Sequence, residues 1–129
     1  MRFWCSGLGF TKLFGHTFTG DWPELFGAQT DRLQSVFLGD PQTPDTGIVE
    51  LVAFEGADEA LPAPAGPRHG FFLLSLQRDV DETLSALADL GFADGVRRIT
   101  VAAPAGKTVP MAVITAPDGV VVELIGPAR

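Results

Sequence analysis

The stretch PDGVVVELIG near the C-terminus holds one carboxylate, Glu123, inside a run that otherwise has the β-branched, apolar make-up of a buried strand. Burying a charge is costly unless the group is paired, protonated or bound to a metal, so this glutamate calls for a partner. The pattern occurs twice. Upstream, PDTGIVELVAFEG places Val49-Glu50-Leu51 where the later copy has Val122-Glu123-Leu124, each after an Asp and Gly turn. Along a strand, Glu123 shares a face with Val121 and Ile125, while Val120, Val122 and Leu124 point the other way. Glu50 stands likewise beside Ile48 and Val52, with Val49 and Leu51 opposite. In each copy one apolar face is free to pack while the carboxylate turns away from it. The imidazoles of the chain are those of His16, in KLFGHTFTG, and His69, just ahead of an apolar run. Cys5 is the single cysteine and has no sequence-evident base or thiolate-stabilising cluster, which reads as a packed thiol.

The elements that would position these residues are legible from pattern. RDVDETLSALADLGF repeats Val80, Leu84, Leu87 and Ala88 at helical spacing, with Asp79 as N-cap, Glu82 three residues on, and Gly91 where a left-handed C-cap is wanted. FFLLSL before it, and GVRRITVAAP, KTVPMAVITAP and GVVVELIGP after it, read as strands separated by Pro- and Gly-containing turns. The second half is thus strand, helix and three strands. The first half shares its punctuation: Leu8-Gly9-Phe10 repeats Leu90-Gly91-Phe92, and both copies run on to Val-Glu-Leu. The inserted stretch GDWPELFGAQTD lengthens the first copy, with Asp21 able to cap a short helical turn over Trp22 to Phe26. EGADEALPAPAGPRHG, without periodicity, reads as a linker. Only residues 1–7 precede Leu8, so the first copy should lack its opening strand and the front of its helix; if Met1 is not the start, upstream sequence should encode them.

Bulk properties limit the function classes. The 129 residues, 46% hydrophobic, suit one domain able to bury a core without disulfides. A net charge of −7 argues against binding a phosphate backbone and suits a cationic ligand or a metal, or simply solubility. The apolar runs are far shorter than the ~20 residues of a membrane span, and no signal-peptide pattern opens the chain. These features read as a cytoplasmic protein with neither nucleic-acid nor membrane partners.

The doubled unit, with FW…LGF closing the first helix and DG…VEL closing each half, resembles the vicinal oxygen chelate superfamily, the glyoxalase I, bleomycin-resistance and extradiol-dioxygenase group. The resemblance implies an α+β fold in which two tandem strand-helix-three-strand units form a cupped mixed sheet, the first unit truncated at its N-terminus. The boundaries are a first repeat over 1–56, a linker over 57–69 and a second repeat over 70–129 of a single domain. Metal-using members of the group hold a divalent ion with a side chain from the first and last strand of each unit. Carried over, Glu50 and Glu123 match the last-strand positions and take both the metal-ligand and the catalytic roles. His69 is the candidate third ligand. It stands two residues before Phe71, where the family's ligand falls, but keeps the parity of Phe71, Leu73 and Ser75; a solvated linker histidine is its alternative reading. His16 reads as an edge or loop histidine. Two carboxylates turned to one apolar cavity would draw a divalent cation or raise a pKa.

Two functions follow from the resemblance. One is a small-molecule enzyme using zinc, nickel, manganese or iron for lyase, isomerase or dioxygenase chemistry, with Glu50 or Glu123 moving a proton. The other is a metal-free protein that binds a small molecule such as an antibiotic. A truncated paralogue with no active cup is a third reading. Trp4, Phe10, Phe14 and Trp22 would line a cavity or belong to the core. The resemblance further implies a homodimer, in which a partner covers the edge beside the Glu50 strand.

Overall fold

The computed structural model of the chain describes residues 1–44, 47–56, 70 and 73–129. The chain divides into two compact units, one over Met1, Phe3–Cys5 and Gly9–Glu59, the other over Arg2, Ser6–Leu8 and Ala60–Arg129. The linker expected over 57–69, and with it His69, lies outside the described residues, as do Phe71 and Phe72. No helix among the described residues is long and apolar enough to cross a membrane.

In the first unit, strands β1 (Thr11–Thr19), β2 (Arg32–Gly39) and β3 (Val49–Phe54) form an antiparallel sheet in that order. A bulge between Lys12 and Phe14 interrupts the β1–β2 ladder. The expected helical turn is present as α1 (Trp22–Phe26). The Asp21 side chain accepts from the Glu24 amide at 3.3 Å, and Gly27 closes the turn at φ 67°. Phe3, Trp4, Phe10, Leu33 and Leu38 are buried, and Trp4 meets Phe3 and Phe10 edge-on. Trp4 and Phe10 are therefore core residues.

The second unit contains β4 (Leu74–Gln77), helix α2 (Val80–Asp89), β5 (Arg97–Ala102), β6 (Thr108–Thr115) and β7 (Val121–Ile125). Its four-stranded sheet runs β4-β7-β6-β5, with β4 parallel to β7 and the other pairs antiparallel. This mixed order needs a crossover between the parallel strands, and α2, leaving directly from the end of β4, begins it. The face bearing Ala112, Ile114, Val122 and Leu124 is buried, and α2 packs on β6 with Val80 and Leu87 fully buried.

The helix ends where the sequence places them. Asp79 accepts from the Glu82 amide at 3.0 Å. At the other end Gly91, at φ 85°, donates to the Ala88 carbonyl while Phe92 donates to Leu87, the bond pair of a Schellman cap. Leu8-Gly9-Phe10 does the same work for the opening turn Phe3–Gly7: Gly9 has φ 76°, its amide donates to Cys5 and that of Phe10 to Trp4. The Leu8 carbonyl accepts from Arg78 Nε at 3.1 Å. Gly7 lies so near α2 that a Cβ would stand 2.3 Å from Leu87 Cδ2, so any larger residue would force the buried Leu87 side chain to shift. One detail departs from the sequence pattern. The buried stripe of α2 is Val80, Thr83 and Leu87, whereas Leu84 is half-buried and Ala88 exposed. The helix is rotated slightly from its most apolar face, burying Thr83 where the periodicity favours Leu84.

The start of α2 is further held by Arg98 of β5 and by Arg129 beyond β7. Arg98 Nη2 meets Asp81 Oδ1 at 2.5 Å, and Arg129 reaches Asp81 Oδ2 and Asp79 Oδ2 at 3.3 Å each. Arg129 is itself fixed by reciprocal backbone bonds with Thr108. The hydrogen bond from Arg98 holds the Asp81 carboxyl below the usual 3.8, burial opposes it, and the charges of Arg98 and Arg129 reinforce it.

Two outcomes follow. Leu87→Ala should cost about 2–5 kcal/mol in urea denaturation, and Leu84→Ala about half that or less, since only Leu87 leaves a closed cavity. Because the Asp81 carboxyl is depressed in the folded state, its contribution to stability is present above the unfolded value of 3.8 and is lost as pH falls through the lower folded value. Asp81→Asn should therefore flatten the acid limb of the stability profile between about pH 5 and pH 2. The effect should shrink in high salt, as the groups are half-exposed.

Candidate functional site

Strand alternation sets the site in each unit. In the first, the β1–β2–β3 register puts Phe14, His16 and Phe18, then Leu33, Ser35 and Phe37, then Glu50, Val52 and Phe54 on one face. Glu50 lies directly across from Phe37, and Ser35 sits between His16 and Val52. Ser35 is fully buried, and its hydroxyl donates to Glu50 Oε1. The carboxylate itself is exposed. One oxygen is thus tied down from below while the group remains open to a ligand from above.

Aromatic rings surround this pair. His16 stacks on Phe14 with centroids 6.2 Å apart and meets Phe18 edge-on at 5.0 Å, and Phe14 contacts Phe37 at 6.2 Å. At the far end Phe26 packs on Phe54 at 5.8 Å and on Trp22 at 6.0 Å, while Trp22 Nε1 donates to the Phe18 carbonyl at 3.3 Å. Phe14 and Val52 remain largely exposed. The expected edge histidine is indeed on the outer strand, yet its ring points to the same face as Glu50. Towards the opposite face lies a small open hollow of about 260 Å³ lined by Thr17, Arg32, Gln34, Ala53, Phe54 and Glu55, with the Arg32–Glu55 ion pair at 3.1 Å among its lining.

In the second unit Glu123 occupies the inner strand β7, with Ser75 of β4 opposite on one side and Val113 of β6 on the other. Ser75 Oγ donates to Glu123 Oε2 at 2.5 Å. Val121, Ile125, Met111 and Ile99 share this face, and Arg97 stands beyond Val113 in the same row. Val122 and Leu124 point into the core, so the alternation read from the sequence holds: β7 buries its apolar face and turns its carboxylate the other way. Glu50 and Glu123 therefore occupy equivalent places in their own sheets, each bonded to a serine. The two serines reach them from different sides, Ser35 from the antiparallel neighbour and Ser75 from the parallel one. Both escaped the sequence reading as partners. The available signal was a lone hydroxyl in an apolar strand at carboxylate-facing parity, as in LLSL and QSVF.

Among the described residues no group of three or more His, Cys, Asp or Glu is disposed to hold a metal ion. The proposed ligands Glu50 and Glu123 are each described with a serine, and the third, His69, lies outside the described residues. Cys5 is a free, half-buried thiol.

No protein-family model matches the chain. It is 30% identical over 135 residues to the lactoylglutathione lyase-like protein terB of Aspergillus terreus, covering 97% of this chain and 66% of that protein. Among solved structures it is similar to a glyoxalase family protein from Bacillus cereus, with TM-score 0.66 and 15% identity over 93% of this chain and 79% of that one. It is also similar to a glyoxalase/dioxygenase from Nostoc punctiforme, with TM-score 0.57 and 17% identity over 99% and 81% of the two chains. The paired βαβββ-type punctuation and these likenesses define an α+β protein of the glyoxalase fold. The chain belongs to the glyoxalase, bleomycin-resistance and dioxygenase superfamily.

The serines and carboxylates should differ in what they do for the fold. Ser35→Ala removes a buried bond to a charged group and should cost about 1–3 kcal/mol. Ser75→Ala, at an exposed position, should cost less than about 1 kcal/mol, and Glu50→Gln, whose amide oxygen still accepts from Ser35, likewise. Denaturation midpoints of the three variants test this ranking.

Proposed function

We propose that the chain binds a small organic molecule on the carboxylate-bearing face of its sheet, with Glu50 as the polar anchor and the Phe14, His16, Phe18 and Phe37 rings as the apolar surround. The observation that carries this reading is the Ser35–Glu50 pair: a buried hydroxyl orients a carboxylate that is open to solvent within an aromatic face. A fixed carboxylate favours a ligand with a positive or hydrogen-bond-donating group, and the rings favour one with a flat apolar body. Net charge −7 adds a field that attracts such cations and repels nucleic acid. Glu123, held by Ser75, offers a second carboxylate of the same kind in the other unit.

Superfamily membership raises the question of a divalent metal. The described donors are one carboxylate and one serine hydroxyl in each unit, with His16 on the face of Glu50. A neutral hydroxyl is a poor ligand for zinc, nickel, manganese or iron, which take three or more imidazole, thiolate or carboxylate donors. These donors do not fit such an ion, and the proposed role of Glu50 and Glu123 is to bind and orient directly. A second reading, supported by the likeness to a protein named lactoylglutathione lyase-like, is an enzyme in which one of these carboxylates moves a proton.

The test is calorimetric titration with a panel of planar aromatic amines and their neutral isosteres. The amines should bind, and Glu50→Gln should weaken them by at least about tenfold while leaving the unfolding midpoint nearly unchanged. Equal affinity for amines and isosteres, or an unaffected Glu50→Gln, would count against the anchor role.

A further inference from the structure

The bases of the first unit are unevenly placed. Between Gly9 and Glu59 the lysine and arginine side chains are those of Lys12 and Arg32, in a stretch otherwise rich in Asp and Glu. Unbroken alternation along β1 would put Lys12, two residues before Phe14, on the face of Phe14, His16 and Glu50. The bulge prevents this. It sets Lys12 opposite Leu38 while Phe14 stands opposite Phe37, so Lys12 shares the other face with Gly15 and Thr17 of β1 and with Arg32, Gln34 and Val36 of β2. A Cβ on Gly15 would stand 2.9 Å from Lys12 Cε and 3.1 Å from its Nζ. The ammonium therefore lies over Gly15, in the space that a side chain there would take.

The next residue pair on this face, Thr17 and Gln34, begins the open hollow of about 260 Å³ that Arg32 and Glu55 line further on. Its donors are uncommitted. Arg32 meets Glu55 through Nε alone, and among the described residues its two Nη nitrogens, the Gln34 amide group, the Thr17 hydroxyl and the Lys12 ammonium have no protein partner. The Arg32 and Glu55 side chains are 58% and 66% exposed, so this end stands open to a ligand. Ala53 and Phe54 add apolar surface to the same hollow.

We infer that this hollow is an anion site on the face of the sheet away from Glu50, taking an aliphatic dicarboxylate with Arg32 at one end and Lys12 at the other. The guanidinium offers its two Nη nitrogens as a fork for one carboxylate, with the Gln34 amide group beside it. The Lys12 ammonium, with the Thr17 hydroxyl, receives the second as a point charge. Spacing selects the class of ligand. Gly15 and the Thr19 position opposite Arg32 are about 14 Å apart along β1, the reach of a chain of roughly six carbons with a hydrogen bond of about 3 Å at each end. A compact anion such as phosphate cannot touch both bases, and at Arg32 alone it would crowd its two charges against Glu55. The methylenes of the longer ligand meet Ala53 and Phe54. The inference stands apart from the amine reading, since it concerns the opposite face and uses none of the groups around Glu50.

Calorimetric titration of the full chain with adipate, hexanoate and inorganic phosphate tests it. The wild-type chain should bind adipate, and the other two at least about tenfold more weakly. Arg32→Gln and Lys12→Gln, both at exposed positions, should each weaken adipate at least about tenfold, with far-ultraviolet spectra unchanged. Gly15→Ala keeps every charge but sets a methyl where the ammonium lies, and should weaken adipate at least about threefold. That variant separates a built site from a diffuse attraction between charges. No adipate binding, equal affinity for hexanoate or phosphate, an undiminished affinity in Arg32→Gln or Lys12→Gln, or an unaffected Gly15→Ala would each overturn the inference.

Discussion

The two-residue period of the closing strands is the constraint on which the rest of this structure depends. Because successive side chains of β7 point to opposite faces, Val122 and Leu124 can be fully buried only if Glu123 faces away from them. The parallel pairing of β4 to β7 then fixes which residue stands beside the carboxylate, and the register supplies Ser75. The buried core of the second unit, including the seat of α2 on β6, lies on the face that Glu123 leaves alone. The buried core and the carboxylate thus lie on opposite sides of the same strand, so a substitution at Glu123 leaves the core packing untouched.

The first unit reaches a similar end by other means. Its closing strand has no parallel neighbour among the described residues, and Glu50 draws its hydroxyl from Ser35 of β2. Aromatic rings replace the aliphatic side chains that flank Glu123. The same Val-Glu-Leu tripeptide therefore sits in two chemical settings, one ringed by Phe14, Phe37 and His16, the other by Val113, Val121 and Met111. Two halves built on one plan thus present chemically different surroundings to the same carboxylate.

What the sequence made legible was local. Asp79, Asp21, Gly91 and Gly9 act where capping chemistry places them, because a cap needs only a few neighbouring residues to be satisfied. The carboxylate parity of Glu50 and Glu123 was equally plain, since period 2 is a property of the strand alone. Less legible was anything set by a partner distant in sequence. Ser35 and Ser75 became visible only through strand register, which joins residues 15 and 48 positions apart. The orientation of His16 required knowing that β1 pairs with β2 in the register that sets it opposite Ser35. The tilt of α2 onto Thr83 rather than Leu84 arose from packing against a sheet, which helical periodicity does not describe.

The unequal cover of the two closing strands also bears on how the molecule breathes. On its core side β7 is sealed, with Val122 and Leu124 at 0% exposure, whereas no residue of β3 is buried. Local opening follows the least protected parts of a fold, so β3, like the other strands that bury no residue, should open more readily than α2, β6 and β7. If a ligand binds at Glu50 as proposed, it meets a strand with no buried side chain of its own, and part of its binding free energy would be spent on ordering that strand.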